Sequence, residues 1–182
     1  MGSRYPEIPD RLKDFIAAQR MFFVGTAAPD GRVNVSPKGM DSLRVLGPNR
    51  VIWLNVTGSG NETAAHLLEN ERMTLMWCAF EGQPMILRLY GKARAVHPGE
   101  ADWDELFGHM EPIPGARQML DMHVDLVQTS CGTGVPLYDY VDDRPQLRRW
   151  AERKGTDGVE QYWQDKNRLS IDGRPTGIPG DA

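Results

Sequence analysis

The sequence predicts a mainly β (α+β) fold, a closed barrel of six or seven short strands with flanking helices. Two observations carry this expectation. Short segments rich in Val, Ile, Leu, Phe and Trp recur between turns bearing Gly, Pro and Asn, the punctuation of an antiparallel domain. Several of these segments alternate polar and apolar residues with period two, as half-buried strands do.

Pro9-Asp10 opens a helix whose Leu12, Phe15 and Ile16 recur at helical spacing. Residues 21–27 read as a buried strand, Pro29-Asp30-Gly31 as a turn, and 32–36 as the returning strand of a hairpin. A short strand over 43–46 turns at Gly47-Pro48-Asn49 into another over 50–56. A helix is expected over 64–70. The strand over 73–80 is apolar nearly throughout and is expected to be covered on both faces.

Glu81-Gly82-Gln83-Pro84 turns into a long strand over 85–96. Period two puts Arg88, Tyr90, Lys92 and Arg94 on one face and Leu87, Leu89, Ala93 and Ala95 on the other. A helical segment over 101–107 and a break at 112–115 follow. Residues 118–128 alternate, with Leu120, Met122, Val124 and Leu126 opposite Asp121, His123 and Asp125. Two helical segments close the chain, marked by Leu147, Trp150 and Ala151 and then by Val159, Tyr162 and Trp163. The Gly- and Pro-rich tail over 170–182 is expected to be extended. With no internal repeat or linker, 1–182 reads as a single domain, a barrel over 21–130 with a helical extension over 137–182 packed on it.

Composition narrows the function. Charged residues make up 25% of the 182 and the formal charge is −4, so no duplex nucleic-acid partner is expected. No apolar run approaches the roughly 18–20 residues of a membrane span, and residues 1–6 lack an apolar signal core. A cytoplasmic protein with no membrane partner is the expectation. Cys78 and Cys131 make no disulfide framework, and His66, His97, His109 and His123 form no ligand cluster, so no metal site is expected. Trp53 and Trp77 read as core, and His123 as part of an exposed polar face.

Two stretches bear on chemistry. In Thr57-Gly58-Ser59-Gly60-Asn61-Glu62-Thr63 the glycines precede a helix start, where free N–H groups and a partial positive charge favour an anion. The same stretch also reads as a ligand-free capping box, Ser59-x-x-Glu62. In Val33-Asn34-Val35-Ser36-Pro37-Lys38-Gly39, Asn34 and Ser36 share a face opposite Val33 and Val35, and Pro37 interrupts pairing. That leaves an edge with donors for a flat ring and Lys38 to meet negative charge; it also reads as a plain edge strand ending in a solvated lysine.

These stretches, with His66-Leu67-Leu68-Glu69-Asn70 and Arg88-Leu89-Tyr90-Gly91-Lys92-Ala93, resemble the pyridoxamine 5'-phosphate oxidase-like family, in an uncharacterised bacterial branch. The resemblance implies a Greek-key split β-barrel, and a homodimer with FMN sites at the subunit interface. It implies a cofactor site of Asn34, Val35, Ser36, Pro37 and Lys38 beside the ring, Ser59, Gly60, Asn61 and Thr63 at the phosphate, and Arg88 nearby. True oxidases of the family carry an Arg-Lys pair at the positions of Glu62 and Thr63, and it is absent here. Lys38, Arg44 or Arg88 is then expected to supply the charge. The C-terminal signature that grips pyridoxal phosphate is also not evident, so vitamin B6 oxidation is not expected. The implied activity is an FMN-dependent oxidoreductase acting on a small molecule, with no catalytic side chain identified. A non-catalytic flavin or heme carrier and an F420-dependent reductase are the alternatives.

Overall fold

The computed structural model describes residues 2–180. In chain order the elements are β1 (Arg4–Tyr5), α1 (Asp10–Ala18), β2 (Phe22–Thr26), β3 (Asn34–Lys38), β4 (Leu43–Gly47), β5 (Arg50–Val56) and α2 (Glu62–Glu69). Then come β6 (Arg72–Cys78), β7 (Ile86–Val96), α3 (Trp103–Phe107), β8 (Ala116–Ser130) and α4 (Gln146–Lys166). The strands form one antiparallel sheet ordered β3-β2-β6-β7-β8-β5-β4, with β1 added to β8. The two-residue β1 is the strand the sequence did not announce.

The barrel is split rather than closed, because β3 and β4 end the path and share no ladder among the described residues. The link between them holds Met40 and Asp41 at φ 63° and 52°, outside extended geometry. Long β8 is the spine: it pairs with β7 along one edge, and with β5 and then β1 along the other.

Leu87, Leu89 and Ala93 point inward from β7, as period two requires, and meet Val24, Leu75, Leu120 and Val124 in the main core. Phe22 joins this core with Trp53 and Trp77, its ring centroid 6.0 and 5.7 Å from theirs. A second core, with Ile52, Leu54, Leu106 and Met119, lies under α3. The outward face of β7 is solvated and paired: Lys92 lies 3.5 Å from Glu71, and Arg94 joins Asp102 and Asp121.

Three local expectations change. Only one face of β6 is fully buried, through Met73, Leu75 and Trp77, while Thr74, Met76 and Cys78 stay half-exposed. The alternation along β8 breaks at Asp125. Tyr90 pairs with Leu126 but Gly91 with Val124, so Asp125 is an extra bulged residue. Beyond it Val127 and Thr129 turn inward and Leu126 does not. The tail is folded rather than extended. Leu169 bridges Pro175 around a turn at 171–173, while Asp181 and Ala182 lie outside the described residues. The two expected C-terminal helices are the limbs of α4, which breaks at Gly155 (φ 67°, ψ 171°). Trp150 and Tyr162 pack edge-on between the limbs, centroids 5.1 Å apart.

The bulge is possible because residue 91 is glycine. A Cβ there would lie 1.9 Å from the carbonyl oxygen of His123. Gly91→Ala is therefore expected to lower stability by about 1–3 kcal/mol in urea melts, as overpacking does. Gly47→Ala, which meets nothing within 4 Å, should stay within about 0.5 kcal/mol.

Candidate functional site

A cleft of about 570 Å³ opens between β3, the glycine turn before α2, the start of β8 and the C-terminal segment. That size suits a small-molecule ligand. Asn34, Ser36 and Lys38 line it from one face of β3, and Ser59, Gly60, Asn61 and Thr63 from the turn and first turn of α2. Asn55, Arg117 and Lys166 add polar groups, and Leu169, Ser170 and Ile171 close one side.

The sequence-predicted residues thus divide. Seven converge on the cleft. Val35 faces the other way and is 67% exposed, as is the face of Pro37. Arg88 stands on β7 outside the cleft, its guanidinium 3.3 Å from the Ser130 hydroxyl. Arg44 is also outside, forked onto the Asp41 carboxylate at 2.9 Å. Of the three cations expected to replace the missing pair, Lys38 alone lines the cleft.

Sequence reasoning missed Arg117. It lies just ahead of the alternating run that marks β8, and no local pattern distinguishes it from a solvated arginine. In the fold it is 3% exposed. Its Nη1 donates to the Gly60 carbonyl at 3.1 Å and to Asn167 Oδ1 at 2.7 Å, while its Nε has no partner among the described residues. Neither acceptor carries charge. Burial pulls the Arg117 pKa down to about 10. Burial first, and then the charge of Arg117, pull Lys38 down to about 8. The Lys38 ammonium stands 5.4 Å from the centroid of the Trp53 ring.

The polar lining is otherwise short of partners. Asn61 is 2% exposed, yet both its Oδ1 and Nδ2 lack hydrogen bonds among the described residues. Gln118 Nε2 is also unmatched, although its Oε1 accepts from Asn55 at 3.0 Å. Buried polar groups left unpaired are costly and rare in native proteins. Cations without carboxylates, beside free amides and first-turn N–H groups of α2, have the chemistry to receive an anion.

The capping box does not form. The cap position is Asn61, with no side-chain bond, and the Glu62 carboxylate instead accepts the Ile171 N–H at 3.0 and 3.1 Å. Glu62 is thereby committed to the C-terminal segment. The β3 side of the cleft is also ordered. Asn34 Nδ2 donates to Thr26 Oγ1 and Thr63 Oγ1, both at 3.1 Å, and Thr26 Oγ1 lies 3.1 Å from Nδ1 of buried His66. With its donors used, Asn34 offers the cleft an acceptor.

Comparison with known proteins identifies the family. The family model for pyridoxamine 5'-phosphate oxidase matches residues 8–131. The chain belongs to that family. A pyridoxamine 5'-phosphate oxidase family protein of Aspergillus flavus, ustO, is 37% identical over 190 residues, covering 94% of this chain and 76% of its own. The fold recurs in HupZ of Group A Streptococcus, at TM-score 0.50 and 21% identity, covering 65% of this chain and 91% of that one. It recurs in the FAD binding protein of Mycobacterium smegmatis, at TM-score 0.50 and 14% identity, covering 69% and 97%. The split barrel is thus the family fold. Among the described residues no helix is long and apolar enough to cross a membrane, and no cluster of His, Cys, Asp and Glu would hold a metal ion.

The depressed Lys38 pKa has a sign. Below about pH 8 the folded state holds a charged, desolvated ammonium; in the unfolded chain the lysine stays protonated to its usual 10.5. The unfolded state therefore binds more protons between these values, so this group's contribution to stability rises with pH across that window. Lys38→Met is expected to remove that component of the rise, seen by comparing urea melts of the two proteins from pH 7.5 to 10.

Proposed function

We propose that this chain is a flavin-dependent oxidoreductase that holds FMN in the cleft between β3 and the glycine turn and acts on a small molecule. The observation that carries the reading is a pair of desolvated cations, buried Arg117 and half-buried Lys38, facing the cleft with no carboxylate bonded to either among the described residues. A phosphate dianion is the complement such a site lacks.

Family membership supports a flavin as the bearer of that phosphate, and the residues present fit it. Arg117 and Lys38 replace the charge of the absent Arg-Lys pair, and Ser59, Asn61 and Thr63 line the same end of the cleft. Asn34 and Ser36 border the route a flat ring would take along β3. When bound, a flavin supplies hydride or electron transfer through its own ring. The chain's part is to bind, to orient and to limit water: Asn34 is fixed by two hydroxyls, and Leu169 and Ile171 wall one side.

No lining residue is a histidine, cysteine or methionine, which favours flavin over heme. F420 shares a phosphate-bearing tail and is separated by titration. We further propose a homodimer. Val33 and Val35 are 72% and 67% exposed on the outer face of β3, and Val33 borders an apolar hollow with Tyr90 and Gly91. A second copy would cover this surface.

Purified protein should show flavin absorbance or bind added FMN saturably at micromolar concentration; no binding at high micromolar FMN would end the proposal. Arg117→Met and Lys38→Met should each weaken FMN about 10–100-fold, the worth of one charge-assisted contact, and weaken riboflavin far less. Rapid bleaching of the bound flavin by NADH or NADPH marks an enzyme, and an inert flavin marks a carrier.

A further inference from the structure

The C-terminal segment lies outside the part of the chain that the family model covers. It is nevertheless wired into the anion-binding end of the cleft. Asn167, at the end of α4, is fully buried. Its Oδ1 accepts from Arg117 at 2.7 Å and its Nδ2 donates to the Gly58 carbonyl at 3.1 Å. Its own backbone carbonyl accepts from the Thr176 hydroxyl at 2.6 Å. One turn earlier, Trp163 Nε1 donates to Thr57 Oγ1 at 2.7 Å, and that hydroxyl donates to the Gly115 carbonyl at 2.8 Å. The tail beyond is clasped to the barrel by Asp172 on Arg32, and by Arg174 on Glu69 and Asp30.

These bonds act on the glycine turn in a defined way. The Gly60 carbonyl is taken by Arg117 and the Gly58 carbonyl by Asn167. In a trans peptide the C=O and the following N–H point in opposite directions. Tethering the two carbonyls therefore turns the N–H groups of Ser59 and Asn61 away from the tethers and fixes the orientation of both peptide units. An amide at 167 can do this without cancelling the charge of Arg117. A carboxylate there would offset the guanidinium's charge internally and weaken its pull on an anion.

We propose that the C-terminal extension is a working part of the cofactor site, with Asn167 and Trp163 as positioning residues that hold Arg117 and the glycine turn in an anion-accepting state. The inference rests on the flavin reading for the identity of the ligand, but not for the existence of the anion site.

The test compares FMN with riboflavin, which lacks the phosphate, on the full chain. Asn167→Asp puts a carboxylate against Arg117 at little change in volume. FMN affinity should fall about tenfold or more while riboflavin affinity stays within about twofold. A residue with a merely structural role would lower the melting temperature and leave the FMN-to-riboflavin ratio unchanged, and that result would overturn the inference. Should the variant fail to fold, hydrogen exchange on the unaltered chain decides. FMN should slow exchange of the amides over 163–176 more than riboflavin does, and equal protection would refute the proposal. If the unaltered chain binds neither flavin, the flavin reading fails by itself. Inorganic phosphate is then the probe: it should raise the melting temperature of the unaltered chain but not of Asn167→Asp, and no such difference would sink this inference too.

Discussion

An arginine buried without an acid is the constraint around which this molecule is arranged. A desolvated guanidinium is expensive unless charge or many dipoles compensate it. Arg117 has two neutral acceptors, a backbone carbonyl of the glycine turn and the Asn167 amide, and an Nε with no partner among the described residues. Lys38 adds a second desolvated cation in the same cleft. Holding two like charges together in low dielectric is unfavourable, and their lowered pKa values express that cost.

The fold supplies the rigidity this needs. Arg117 is the extra residue of β8 between Ala116, opposite Val56, and Gln118, opposite Asn55, just before the ladder with β7 begins at Met119. Lys38 ends β3, the strand that closes the opposite end of the sheet path. The split between β3 and β4 is where the barrel exposes polar backbone and side chains without a further strand to cover them. The C-terminal segment crosses this region and brings Asn167, Glu62's partner Ile171, and the ion pairs of Asp172 and Arg174. Each exposed ion pair contributes little by itself. Together with the buried Asn167 and Thr176 they fix one path for the tail over the cleft.

Relatives of the family share the barrel, and this chain departs from the oxidases at the phosphate end. The cationic side chains that the resemblance places at 62 and 63 are here Glu62 and Thr63, both turned to internal duties: the first to the tail, the second to Asn34. Two cations that line the cleft stand on strands at either side of the turn, Lys38 on β3 and Arg117 on β8.

The strands were legible from alternation and turn residues because burial of one face imposes period two on the chain itself. Leu87, Leu89 and Ala93 point inward as that rule demands, and Trp53 and Trp77 are core. The polar residues of 34–38 and 59–63 were equally legible, since the glycines and Pro37 act locally, and they line one cleft. What escaped were effects with no local signature. The bulge at Asp125 depends on Gly91 across the ladder, the fate of Glu62 on a tail more than a hundred residues away, and the burial of Arg117 on what surrounds it. Sequence alone therefore determined which segments are strands and which faces are polar, because these follow from periodicity and backbone stereochemistry. Tertiary structure alone decided which cations lose their water and which amides lose their partners, because desolvation is a property of the neighbours that folding brings and not of the residue.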